Sequence, residues 1–268
     1  MVVTRDQMHI VGAAPPPPPP PPEVEETSFE IEITEAETAV GRIQLQMYAR
    51  RRSDFETIEV DWGDGTPPVV YPDTRQFTMY HDFTTAGTYV VKLGKGLAWF
   101  RLAEAYVITP QGRVSVHKPS IRPLLWSDWI ESCESTYSYW NGDIYGTKGV
   151  WGDVPKWGAR TTNARACYAC SLNVTGDVPP WNDAITDVTI CYQYTGVTGI
   201  IPKWPSAMAW AMEVFERCTG LTGAWTDDPA ELMPESCPEH GDAVKDASDA
   251  VRRLFRTDWG GTLESNGG

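Results

Sequence analysis

The stretch Val174–Trp181, VTGDVPPW, joins one glycine and two prolines to a tryptophan that demands burial. Near copies flank it: VWGDVPKW at Val150–Trp157 and VTGIIPKW at Val197–Trp204. A fourth, LTGAWTDDP from Leu221, keeps the glycine but loses the proline and tryptophan positions and reads as a terminal unit. The aligned glycines, Gly152, Gly176, Gly199 and Gly223, stand 24, 23 and 24 residues apart, a period that signals stacked repeats. An aliphatic residue precedes each by two positions: Val150, Val174, Val197 and Leu221. Pro155, Pro179 and Pro202 follow the first three, then Trp157, Trp181 and Trp204, and an upstream aromatic recurs at Tyr168, Tyr192 and Phe215.

A unit this short cannot bury its own apolar residues, so neighbours must stack and share a core. The glycine permits a bend, the proline stiffens it, and the tryptophan covers the layer below. The upstream segments, such as DVTICYQY at Asp187–Tyr194, are expected to supply short strands. Asp153 and Asp177 become Ile200 in the third copy, which argues for architecture and against a catalytic acid.

These units resemble the BspA-like bacterial leucine-rich repeats, approximately F/Y-x-x-C-x-x-L-T-G-x-I-P-x-W, over about residues 137–234. Cys218–Gly223 and Ile200–Trp204 carry the resemblance best. Valines replace leucines, an asparagine ladder is missing, and a glycine-rich insertion lies near 141–149. The resemblance implies a solenoid and a protein of bacterial surfaces or related phage particles that binds hosts, matrix or glycans.

Upstream, Phe29, Ile31 and Ile33 alternate with Glu30, Glu32 and Thr34, the pattern of a half-buried strand. Further strands are expected at 43–48, 57–61, 88–93, 99–108 and 113–116, and many short strands suggest an antiparallel sandwich. Within them EVDWGDGTP (Glu59–Pro67) supplies a tight turn, and YHDFTTAGTYVVKL (Tyr80–Leu93) follows. Trp62, Gly63, Asp64, Gly65, His81, Phe83, Gly87, Thr88, Tyr89, Val91 and Leu93 resemble the hallmark of the polycystic kidney disease (PKD) domain over about 28–110. That resemblance implies an immunoglobulin-like β-sandwich used for display, adhesion or spacing. Asp61 and Asp64 invite a calcium reading, but the loop is too short for an EF-hand, and aspartate before glycine in a turn bonds its own backbone.

The chain of 268 residues has 22 Lys plus Arg against 36 Asp plus Glu, a net charge of −14, which disfavours nucleic acid as a partner. Twelve tryptophans and eleven tyrosines suit either binding surfaces or periodic core positions. Six cysteines include one C-x-x-C, Cys167 and Cys170, read as buried free thiols of a repeat core. No signal peptide and no membrane span is recognised. Pro15–Pro22 is an unbroken octaproline, a semi-rigid spacer that makes residues 1–22 a docking peptide for a larger assembly. From 242 to 255, Ala243, Val244, Ala247, Ala250, Val251, Leu254 and Phe255 share one helical face.

The expected fold is therefore mainly β: a tail (1–27), a PKD-like sandwich (28–118), a leucine-rich-repeat-like solenoid (119–236) and a helical cap with a tail (237–268). Gly152, Pro155, Trp157, Gly176, Pro179, Trp181, Gly199, Pro202, Trp204 and Gly223 are read as repeat-structural. Tyr139, Trp140 and Trp151 are the candidate ligand-binding residues, able to stack on sugar rings or anchor a protein. Catalytic motifs, metal ligands and cofactor signatures are not recognised. The expected function is non-enzymatic binding to protein or glycan on a cell surface, as a phage virion appendage. The alternatives are a bacterial surface adhesin and an accessory module of a secreted enzyme complex.

Overall fold

The alternation that begins at Phe29 produces β1 (Thr27–Ile33), whose Phe29, Ile31 and Ile33 are fully buried. A computed structural model describes residues 23–71, 76–138 and 148–226, with 243, 247 and 250 besides; the side chains of 115–117 lie outside it. The described chain is mainly β. After β1 comes α1 (Glu35–Val40), which the sequence reading missed. Its start is a capping box: the Thr34 hydroxyl accepts from the Glu37 N–H while the Glu37 carboxylate accepts from the Thr34 N–H.

Then follow β2 (Arg42–Arg51), β3 (Ile58–Asp61), β4 (Val69–Tyr71), β5 (Gln76–Phe83), β6 (Gly87–Leu93), β7 (Leu97–Thr109), β8 (Gly112–His117) and β9 (Ser120–Leu125). They form two antiparallel sheets, β4-β3-β6-β1-β9 and β5-β2-β7-β8. Their buried faces, including Leu45, Met47, Val60, Val91 and Phe100, belong to one continuous core. The expected strands are all present, and β4, β5 and β9 are additional.

The repeats carry short parallel strands: β10 (Trp151–Asp153), β11 (Asn173–Thr175), β12 (Thr198–Ile201) and β13 (Gly220–Ala224). β10 pairs with β11 and β12 with β13, and a bridge at Asp177–Thr198 connects the two pairs. The strands thus lie in the glycine segments, and the expected strand at Asp187–Tyr194 is a run of turns. The reason is backbone geometry. Ala166 and Cys170, Ile190 and Tyr194, Glu213 and Arg217 all have positive φ, two per repeat at the same spacing.

These turn segments are nonetheless laddered. Cys133, Ser135 and Tyr137 donate their N–H groups to the carbonyls of Asn163, Arg165 and Cys167. Ala164, Ala166, Tyr168 and Cys170 donate to Asp187, Thr189, Cys191 and Gln193, and Val188, Ile190, Tyr192 and Tyr194 to Trp210, Met212, Val214 and Glu216. Every one of these bonds runs from one layer to the next. Ser132, Asn163 and Asp187 occupy equivalent positions, each side chain accepting from the N–H two residues on. Sequence reading found no asparagine ladder; this mixed series takes that place.

Two aromatic columns fill the interior. Trp126, Trp157, Trp181 and Trp204 stack at 6.3, 5.9 and 5.5 Å between ring centroids. Tyr137, Tyr168, Tyr192 and Phe215 stack at 5.6, 5.8 and 5.6 Å. The column therefore begins one layer earlier than the sequence repeat, at Trp126 and Tyr137.

The boundary expected at 118/119 falls inside this continuous structure. β9 is an edge strand of the five-stranded sheet, paired with β1. Its Ile121 also bridges Val150 in parallel, with the Ile121 N–H donating to Gly149 at 2.8 Å. On the other side, Trp129 lies between Arg52 and Arg160, whose guanidinium carbons are 4.7 and 4.0 Å from its ring. The helical cap expected at 242–255 lies outside the described residues, but Ala243 and Ala247 are buried and the Ala243 carbonyl accepts from the Phe215 N–H.

One core across the boundary predicts one unfolding transition, with tryptophan fluorescence and far-UV circular dichroism coincident in urea. A fragment starting at residue 119 loses the partner of β9 and is expected to show no cooperative transition. Trp181→Ala should destabilise the whole chain by about 3–5 kcal/mol, measured by the same titration.

Candidate functional site

The residue that begins β10 sets the site. In later repeats the position before the glycine is Thr175, Thr198 or Thr222. Their hydroxyls bond to the preceding layer: Thr175 to Asp153 at 3.3 Å, Thr198 to Asp177 at 2.9 Å, and Thr222 to the Gly199 carbonyl at 3.0 Å. In the first repeat this position is Trp151, and the element before it is β9. Trp151 packs there against two cations: the Arg122 guanidinium carbon is 5.1 Å and the Lys148 ammonium 4.1 Å from its ring.

A groove of about 770 Å³ opens at this joint. Arg122 to Leu124 of β9 form one wall, Lys148 and Trp151 to Pro155 the floor, and Asn173 and Thr175 of the next repeat the far side. Arg122 donates to Glu30 at 2.8 Å, and Lys148 lies 3.5 Å from Glu32. The Lys148 backbone is tied on both sides, its N–H donating to the Ser120 hydroxyl and its carbonyl accepting from the Asn173 amide. Among the described residues, Arg122 Nε and Trp151 Nε1 are buried donors without an acceptor. Gly152 beneath has φ +90, and a β-carbon there would fall 3.0 Å from the Arg122 side chain, so the glycine lets Arg122 lie across the floor.

Of the three candidate binding residues, the structure places Trp151 in the groove; Tyr139 and Trp140 lie outside the described residues. Arg122 and Lys148 were not anticipated. Of the residues read as repeat-structural, Gly152, Gly176 and Gly199 have φ of +90, +81 and +78, and Trp157, Trp181 and Trp204 form the stack. Gly223 lies outside the positive-φ set, and the β12–β13 register shifts between Gly199 and Ile200. Asp153 and Asp177 act as struts between layers. Among the described residues no cluster of His, Cys, Asp and Glu suits a metal ion.

The turn of EVDWGDGTP is likewise engaged. Asp61 accepts from the Gly63 N–H, and Asp64 from both the N–H and hydroxyl of Thr66. His81 lies flat on buried Trp62 at 4.5 Å, and its Nε2 meets Asp64 at 2.8 Å. Burial alone would raise the Asp64 carboxyl, but the Thr66 and His81 contacts outweigh it and hold it below its usual range. Cys133, Cys167, Cys191 and Cys218 are buried free thiols and Cys170 is a partly exposed one. Burial pushes the Cys167, Cys191 and Cys218 thiols up, away from the reactive thiolate.

No protein-family profile, no curated protein and no solved structure matches this chain. The site's chemistry has to be read from its own residues.

Two outcomes follow from these contacts. Asp177→Ala removes a strut to Thr198 and should cost about 1 kcal/mol in urea unfolding. Asp64 has a depressed carboxyl, so its stabilisation is present above the unfolded value near 3.8 and is lost as pH falls through the folded one. The stability gap between the native chain and Asp64→Asn should hold steady above about pH 5 and shrink below about pH 4.

Proposed function

We propose that this chain is a non-enzymatic binding protein displayed on a surface, carried on a phage-like particle, with the junction groove as its contact site. The observation that carries the reading is Trp151: a position that the later repeats spend on a structural threonine is given to a tryptophan lining a groove of mixed polar and apolar groups. Pockets that hold one aromatic plate with a few converging polar groups suit small polar ligands such as glycans. The groups that invite a catalytic reading are engaged elsewhere, since Asp153 and Asp177 brace neighbouring layers and the Cys167 and Cys191 thiols are buried.

In this reading the two sheets are an immunoglobulin-like sandwich of the PKD kind and the repeats a short leucine-rich-type solenoid. Supporting the first is the Trp62–His81–Asp64 cluster at the turn; supporting the second are the parallel strands and stacked layers. Residues 1–22 dock on the larger assembly and the octaproline holds the body away from it. No helix among the described residues is long and apolar enough to cross a membrane.

The test is Trp151→Thr, which installs the residue that the later repeats carry, with circular dichroism and a cooperative melt reporting that the variant is folded. Binding of the full chain to bacterial envelopes should fall more than tenfold. Unchanged binding by the folded variant would remove the groove from the function.

A further inference from the structure

The donors and acceptors around Trp151 are unbalanced. Among the described residues, Arg122 spends Nη2 on Glu30 but leaves Nε buried without an acceptor. The Trp151 Nε1 is unpartnered too, as are the indoles of the stack at Trp157, Trp181 and Trp204, so it is the buried guanidinium N–H beside the groove that marks a place for an acceptor. The third donor is the Lys148 ammonium. It rests on the Trp151 ring, and its contact with Glu32, at 3.5 Å, is long for an ion pair. Its backbone is pinned by Ser120 and Asn173, while its side chain stays half exposed and able to swing.

Among the described residues, the acidic groups near the groove do not supply the missing acceptor. Glu30 and Glu32 come from β1 and meet Arg122 Nη2 and Lys148 Nζ, while Asp153 takes the Thr175 hydroxyl. The other cation-flanked tryptophan at the joint shows the contrast. There Arg52 is almost buried and gives two bonds to Asp54, with Glu131 alongside, so its guanidinium is occupied.

We infer that the groove takes a saccharide bearing a carboxylate, a uronate or sialate type of residue, its ring on Trp151 and its carboxylate on Arg122 and Lys148. A sugar ring that lies on the indole displaces the Lys148 ammonium from that face. The displaced ammonium then meets the ligand's carboxylate beside Arg122 Nε, and both opposite charges gain. Of the remaining lining, Asn173 and Thr175 are neutral polar groups that hydroxyls match, Pro123, Leu124, Val154 and Pro155 are apolar, and the Asp153 carboxylate is engaged by the Thr175 hydroxyl. A chain of net charge −14 gains no general attraction for anions, so recognition of an acid sugar has to be local to these cations.

This inference rests on the groove being the contact site, and the experiment separates the two. The full chain is applied to a glycan array printed with matched pairs, each acid saccharide beside its carboxyl-reduced counterpart. The expected result is an acid preference of at least about tenfold that falls towards onefold in Lys148→Gln and weakens as sodium chloride rises. Equal binding of both members overturns the inference while leaving a saccharide groove in place. If no pair binds but Trp151→Thr still abolishes envelope binding, the acid-saccharide inference falls and the contact site stands. If Trp151→Thr changes neither readout, the contact site falls, and the inference with it. Lys148→Gln touches no core residue, and its melting temperature reports that its fold is intact.

Discussion

The structure depends on a run of hydrogen bonds that point the same way through the middle of each turn segment. There, N–H groups of one layer reach carbonyls of the next, and the bonds that run back, from Thr162 to Glu131, Asp187 to Thr162 and Trp210 to Thr186, lie at the segment edges. A parallel strand ladder alternates its direction, so both ends of such a stack look alike. Here the ends differ: the first layer presents carbonyls and the last presents N–H groups. The first layer needs donors, and β7 supplies them, the Trp99 indole to the Glu134 carbonyl and the Leu102 N–H to Thr136. The last layer needs acceptors, and the Ala243 carbonyl is one. The sheets are thus a chemical end-piece for the repeats, which explains why the two share one core.

The one-way arrangement has a conformational cost. Ser135, Ala166, Cys170, Ile190, Tyr194, Glu213 and Arg217 are all non-glycine residues at positive φ. Each costs on the order of 1 kcal/mol, and more for β-branched Ile190. The two aromatic columns offset it. Neighbouring tryptophans lie within 15° of parallel and neighbouring Tyr or Phe rings within 15°, so each layer gains two stacked contacts as well as its bonds. Rings that large also fix the layer spacing, which keeps the N–H groups in reach of the next carbonyls.

How much of this was readable follows from which forces leave a local trace. Glycine at positive φ, proline beside it and tryptophan in a column recur at fixed spacing, so the repeats were legible. The layer of Trp126 and Tyr137 was not, because Trp126 follows Ile121 by five residues where Trp157 follows Val150 by seven, and β9 has no glycine. The strand expected at Asp187–Tyr194 rested on β-branched and aromatic composition. Its buried residues are Val188, Thr189, Cys191 and Tyr192, which is not the alternation of a half-buried strand. Composition reports that a segment lies in a core; it does not report which way its carbonyls point. Trp151 was legible as the odd member of a threonine series, whereas Arg122 reaches it from another sheet, a contact without local signature.

The same constraint places the groove. Every later layer has an identical neighbour behind it, and its threonine closes the seam to that neighbour. The layer of β10 has β9 behind it, where the position that carries Asp153 or Asp177 in the later layers has no counterpart in a glycine repeat. A threonine there would lack that aspartate strut, so the position is free to carry another residue. The Ile121–Val150 bridge joins β9 to the start of this repeat, and the groove opens beside it, with Arg122 lying across Gly152. Both tryptophans of the joint, Trp129 and Trp151, meet two cations, yet Arg52 at Trp129 is saturated by Asp54 and Glu131 while Arg122 at Trp151 keeps a donor. One side of the joint is therefore a weld and the other an open groove. Because the weld holds sheets and repeats together, the walls of the groove keep their separation.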